Sequence, residues 1–251
     1  MPLLTFSATK RLVVFVLFVC VPSVFETCLL RGQEASTRQQ SSLANDVLTL
    51  ADQAALKPET VIQLLRDGNS RFVANDLTAR DHSAAVRKSA QGQFPKAIVL
   101  SCVDSRIPVE DVFDRGIGDI FVARVAGNFV NADILGSMEF ACKVAGAKLV
   151  LVLGHEHCGA IKAAIDNVQL GNISGMLANI RPTVERVKYD GPRTSKNEEF
   201  VHLVAELNVR DTINAVRQGS PILFDMEKQG KIKIVGALYD MDSGVVAFLE
   251  P

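Results

Sequence analysis

The chain has 251 residues, of which 48% are hydrophobic and 22% charged, enough to bury a full core in a single domain. A formal charge of −1 supplies no basic field, so nucleic acid is not expected as a partner. No fixed-period repeat is visible and there is no Trp.

At the N-terminus, Lys10 and Arg11 precede a 14-residue apolar run, Leu12 to Phe25. A helix needs roughly 18–20 such residues to cross a bilayer. A basic start and a short apolar run instead read as a secretory signal over residues 1–35, cut after Ser23 or after Ala35. Export, to a periplasm or to the medium, is therefore expected, with no stable membrane span in the mature chain. An uncleaved membrane anchor is the alternative. Cys28 follows Glu26 and Thr27, a poor setting for lipid attachment. Residues 1–35 carry three bases (Lys10, Arg11, Arg31) and two acids (Glu26, Glu34), so their removal leaves a net charge of −2. Three cysteines then remain, Cys102, Cys142 and Cys158, too few for a disulfide scaffold in so long a domain.

Residues 36–56 read as a linker and helical arm, with a helical lead-in from Leu43 to Lys57. Pro58 to Gly68 opens with Pro at a first helical position and predicts a helix, and Asn69 to Asp76 a second one. Gln91 to Pro95 is a turn. Short apolar runs follow: strands are expected at Ala97–Leu100, Asp119–Arg124, Leu149–Leu153 and Lys231–Tyr239, with Val245–Leu249 pairing back after a turn at 242–244. Between them Ala132–Val144, Ala160–Val168 and Glu198–Gln218 have helical spacing, the last with Leu203, Leu207, Ile213 and Val216 inward. Alternating strands and helices predict an α/β fold, a mostly parallel central sheet flanked by α-helices.

Sites in open α/β sheets form at the carboxyl ends of the strands. Cys102 follows the first strand, in Cys-Val-Asp-Ser-Arg, and His155 and Cys158 follow the third, in Gly-His-Glu-His-Cys-Gly. Two thiols and an imidazole make three bonds to one tetrahedral Zn²⁺ and leave a fourth position for water or substrate. A water there ionises near neutral pH and becomes a nucleophile. Asp104 is either a turn cap or an ionised carboxylate that orients this nucleophile. Arg106 could hold it through a forked pair, or Asp104 could swing onto the metal. His157 reads as a supporting or surface residue and Cys142 as core, while His82 and His202 have no assigned role. Arg124 to Asn128 is either a turn with a structural glycine or a loop whose backbone lines the site.

These residues resemble the β-class carbonic anhydrases. The matching pieces are Cys102-x-Asp104-Ser-Arg106, Gly118 to Asn128 and Gly154-His-x-x-Cys-Gly159, with weaker ones at Gly68 to Phe72 and Gly236 to Asp240. The likeness covers about residues 57–250, so 57–251 is read as a zinc-dependent catalytic domain. The resemblance implies reversible hydration of carbon dioxide to bicarbonate and a proton through zinc-bound hydroxide, with one Zn²⁺ per chain on Cys102, His155 and Cys158. It implies Asp104 and Arg106 as the orienting pair and Gln93 as a hydrogen-bond donor to substrate. Phe121, Ala126, Phe140 and Gly159 would line a small apolar pocket built across a dimer interface, in a homodimer or a tetramer of dimers. Ala126 and Phe140 stand where some members carry Val and Tyr. The absence of Trp removes one part of the Trp-Arg-Tyr bicarbonate site of a regulated subset.

Two other classes share these features: a zinc-bound regulatory module without catalysis, and an enzyme hydrolysing another small linear molecule such as carbon disulfide. A dinucleotide-binding enzyme lacks its Gly-x-Gly-x-x-Gly after a strand.

Overall fold

The structure is a computed structural model and describes residues 47–250. The expected signal over 1–35, most of the linker and the start of the lead-in helix lie outside the described residues. Five strands form one sheet: β1 (Ala97–Ser101), β2 (Ile120–Arg124), β3 (Leu149–His155), β4 (Lys233–Tyr239) and β5 (Val246–Phe248), in the order β2-β1-β3-β4-β5. β1 to β4 run parallel and β5 returns antiparallel on β4, the mostly parallel sheet that the strand–helix alternation predicts.

Every residue of β1 and β3 is buried, because helices cover both faces of the sheet. Ile98, Leu100, Val150 and Val152 point to one face and meet Val204, Val209 and Val216 in one apolar cluster. Val99, Leu149, Leu151 and Leu153 point to the other and meet Val61, Leu65 and Phe113. Each of these side chains contributes about 1.5–3 kcal/mol by leaving water, so truncating Leu151, which is fully buried, would cost about 2–5 kcal/mol.

Ten α-helices and one π-helical turn surround the sheet among the described residues. The lead-in helix is shorter than expected, α1 (Leu50–Ala55), and is closed by a Thr49–Asp52 capping box. The two expected helices after Pro58 are one, α2 (Pro58–Val73). Gly68 does not end it. A Cβ there would stand 1.9 Å from the Phe113 carbonyl oxygen, so this glycine permits close approach of backbone to helix. The neighbouring Asn69 accepts from the Val246 N–H and donates to the Val112 and Gly244 carbonyls, tying α2 to β5.

Two short helices, α3 (His82–Ser89) and α4 (Val109–Val112), carried no clear apolar period and were not expected. α5 (Ala132–Glu139) passes into a π-helical turn at Phe140–Val144, with Cys142 in the core as expected. α6 (Gly159–Ile165) follows Cys158; α7 (Gly171–Leu177) and α8 (Arg181–Arg186) were not foreseen. α9 (Glu198–Gly219) is the long helix expected over 198–218, but its buried stripe is rotated. Val204, Ala205, Asn208, Val209, Thr212, Ile213 and Val216 face inward, while Leu203 and Leu207 flank them half-buried. α10 (Pro221–Lys228), also not foreseen, completes the described helices. No helix among the described residues is long and apolar enough to cross a membrane.

Candidate metal centre

β1 and β3 are neighbours, with Ser101 opposite Leu153. Cys102 lies one residue past β1, and His155 is the last residue of β3, which runs two residues beyond the expected Leu153. Gly154 lets α9 come in close: a Cβ there would stand 2.5 Å from Val209 Cγ2. Glu156 and His157 then turn the chain, His157 with φ +53°, and bring Cys158 to the start of α6. The ligand atoms of Cys102, His155 and Cys158 all lie within 4.8 Å of one another, and all three residues are buried.

The chemistry of this group fits a single metal ion. His155 Nδ1 is 2.8 Å from the Glu156 carbonyl oxygen, a contact only a protonated Nδ1 can make. That leaves a lone pair on Nε2, which is buried without a hydrogen-bond partner. A buried imidazole nitrogen facing two thiols is costly unless something binds it. The contact with Cys158 pulls the Cys102 thiol down, against burial, helped by His155 and the Gly127 N–H. The same contact and burial push Cys158 up. A dication bound by all three donors would displace the thiol protons. Two sulfurs and one imidazole nitrogen are donors suited to zinc.

Asp104 is not part of this donor group. Arg106 holds it with a fork, Nε to Oδ1 at 2.9 Å and Nη2 to Oδ2 at 2.7 Å, and its backbone N–H adds a third bond to Oδ1. Of the two arrangements open to the sequence, the structure shows the forked pair. The Arg106 guanidinium brings the Asp104 carboxyl to about 2, outweighing burial, so it is ionised at neutral pH.

The five expected pocket residues divide into two groups. Ala126 precedes Gly127, whose N–H donates to Cys102 Sγ at 3.4 Å, and Gly159 follows Cys158. These two adjoin the triad. Gln93 does not: it is exposed before the amino end of β1, in a concavity shared with Ser89, Ile117 and Gly118. The four residue steps along β1 separate that end from the ligand end by about 13 Å. Phe121 pairs with Ile98 in the same half of the sheet, and Phe140 sets its ring edge-on to Phe121 at 6.2 Å. A single chain therefore keeps Gln93, Phe121 and Phe140 away from its own triad. A concavity of about 640 Å³ lies at the far edge, beside β4 and β5, and contains none of the expected site residues.

Three supports of the site were not foreseen. Arg124 donates to the carbonyls of Cys102 (3.0 Å), Asp104 (3.3 Å) and Ile107, and so holds the Cys-x-Asp-x-Arg loop. His202 Nδ1 lies 2.6 Å from Glu156 Oε1, anchoring the residue whose carbonyl orients His155. Asn208 Nδ2 donates to the Gly127 carbonyl at 2.8 Å. The 124–128 segment satisfies both of its open readings: the Asn128 N–H closes a turn on the Val125 carbonyl at 2.9 Å with Gly127 at φ +83°, and the Gly127 backbone reaches the site. His157 stands apart from the donor group, 3.6 Å from Glu198 and 3.8 Å from Asp242.

A family model described as carbonic anhydrase matches residues 97–246. The carbonic anhydrase of Mycolicibacterium smegmatis is 37% identical over 201 residues, which cover 75% of this chain and 92% of that one. Carbonic anhydrase 2 of Mycobacterium tuberculosis is 35% identical over 198 residues, covering 74% and 90%. A crystal structure of a β-carbonic anhydrase of Aspergillus fumigatus superposes with a TM-score of 0.58 at 26% identity, covering 77% of this chain and 92% of that one.

Proposed function

The chain belongs to the β-class carbonic anhydrases, lyases acting on carbon dioxide and bicarbonate, and from that premise we propose that Cys102, His155 and Cys158 hold one Zn²⁺ at which water attacks carbon dioxide. The observation that carries this reading is the buried, unpartnered Nε2 of His155 beside two sulfurs. Bound there, Zn²⁺ would supply Lewis-acid chemistry, lowering the pKa of a water to about 7 and making it nucleophilic at neutral pH.

The remaining work belongs to the chain. Asp104, kept ionised and in one orientation by Arg106, accepts a hydrogen bond from the attacking water and turns its free lone pair toward carbon. Arg124 keeps this carboxylate at a fixed distance from Cys102 by holding the loop between them. The proton released as bicarbonate forms passes to buffer.

Gln93, Phe121 and Phe140 reach a triad only across two copies, so the working unit is a homodimer or a tetramer of dimers. β2 is an edge strand whose Phe121 meets Phe140, and Phe140 and Val144 of the π-helical turn are 51% and 71% exposed, a surface suited to burial against a second copy. Residues 1–35 are proposed to direct export and to be removed. N-terminal sequencing of the mature protein would show a start after Ser23 or Ala35; a start at Met1 would contradict removal.

Asp104→Ala tests the assigned roles. Hydration of carbon dioxide should fall by at least about 100-fold while one zinc per chain is retained. An unchanged rate would remove Asp104 from the mechanism.

A further inference from the structure

Asn208 is 2% exposed and lies within the apolar stripe of α9, between Ala205 and Val209. A polar side chain there is costly unless bonded, and packing alone would favour Leu. Its amide spans 81 residues of sequence to donate to the Gly127 carbonyl at 2.8 Å. Gly127 has φ +83°, a conformation that favours glycine. On its Cα side a Cβ would stand 2.4 Å from Ile180 Cδ1, so the residue is packed from that direction as well. Its N–H donates to Cys102 Sγ. One residue is therefore held by its carbonyl and by its Cα, and its N–H is aimed at a sulfur.

We infer that Asn208 is a positioning residue of the metal centre: by fixing the Gly127 carbonyl it keeps the Gly127 N–H on the Cys102 sulfur. An N–H bond to a thiolate withdraws charge from it and limits its rotation, which sets how strongly it donates to a metal. The inference rests on the proposed assignment of Cys102 as a ligand. It adds a polar support drawn from a helix that carries none of the motif residues.

The test compares wild type with Asn208→Leu, which keeps the branching and heavy-atom count of the side chain and removes the donor. Both are loaded with Co²⁺ under reducing conditions. Three quantities are read: affinity by chelator competition, the thiolate-to-cobalt charge-transfer band, and hydrogen exchange at the Gly127 amide. The variant should bind Co²⁺ about 10–100-fold more weakly. Its charge-transfer band should shift, and the Gly127 amide should exchange faster, in a protein with native far-UV dichroism. Equal affinity with an unshifted band would overturn the inference. A role in packing alone would lower thermal stability and leave the band in place, which also counts against it. Should Asn208→Leu not fold, the isosteric Asn208→Asp carries the same comparison. Wild type that takes up no Co²⁺ would instead defeat the ligand assignment beneath it.

Discussion

Arg106 closes on Asp104 with three hydrogen bonds, two from its guanidinium and one from its own backbone N–H, and engages both carboxylate oxygens. The fork fixes direction as well as charge. Removing it would let the Asp104 pKa rise from about 2 toward about 3.9, still below neutrality. Arg106→Leu should therefore leave Asp104 ionised at pH 7 and act by releasing its orientation. The expected result is a fall in carbon dioxide hydration of about 10–100-fold at pH 7, with zinc content unchanged. Arg106→Lys supplies a charge without a fork and should restore only part of the rate. Full activity with Lys would mean that charge alone matters.

Asp114 makes a separate prediction about acid stability. It is fully buried, with Arg71 at 2.6 Å, Arg80 at 2.6 Å and the Thr78 hydroxyl at 2.6 Å. Burial raises its carboxyl, but Thr78, Arg80 and Arg71 outweigh that and bring it to about 2. An unfolded Asp titrates near about 3.9, so the folded pKa is depressed. Such a group contributes its full stability above about pH 4 and loses it as pH falls toward about 2. The gap corresponds to about 2–3 kcal/mol. Asn at position 114 should lower the unfolding free energy in urea by at least that amount at pH 7. The difference between the two proteins should shrink by about 2–3 kcal/mol on acidification to pH 2. A constant difference across that range would contradict the assigned cause.

The division of the pocket predicts complementation between copies. Cys102→Ser removes a ligand and Gln93→Leu removes the distant amide, and each homodimer should be slow. Dimers mixed from the two variants contain one site with both parts intact. Refolding them together should recover roughly a quarter of the wild-type rate per chain, because half the dimers are mixed and each has one good site of two. No recovery, with mixed dimers demonstrated, would return Gln93 to a role outside the site.

Much of this was legible because the chemistry-bearing residues are rare types in short spacings. Two cysteines and a histidine at the ends of apolar runs mark a group able to hold one metal ion, and the alternation of those runs with helical patterns places them at one end of a sheet. What was hidden depends on contacts between distant positions. Asn208 meets Gly127 and His202 meets Glu156 only after α9 has packed on the sheet. The rotated stripe of α9 follows from the same packing, which turns Val204 and Val209 inward ahead of the larger Leu203 and Leu207. Helices such as α4 and α8, of four and six residues, are too short for an apolar period to show. The separation of Phe121 from the triad is a matter of strand register, which spacing in sequence does not reveal.

X-ray absorption at the zinc edge of the purified protein reads the central claim directly. The account predicts one zinc per chain with two sulfurs at about 2.3 Å, one nitrogen at about 2.0–2.1 Å and one light atom completing four ligands. In Cys102→Ser, one of the two sulfurs should disappear from that shell. A zinc shell of oxygen and nitrogen alone, or protein that retains no zinc, would contradict it.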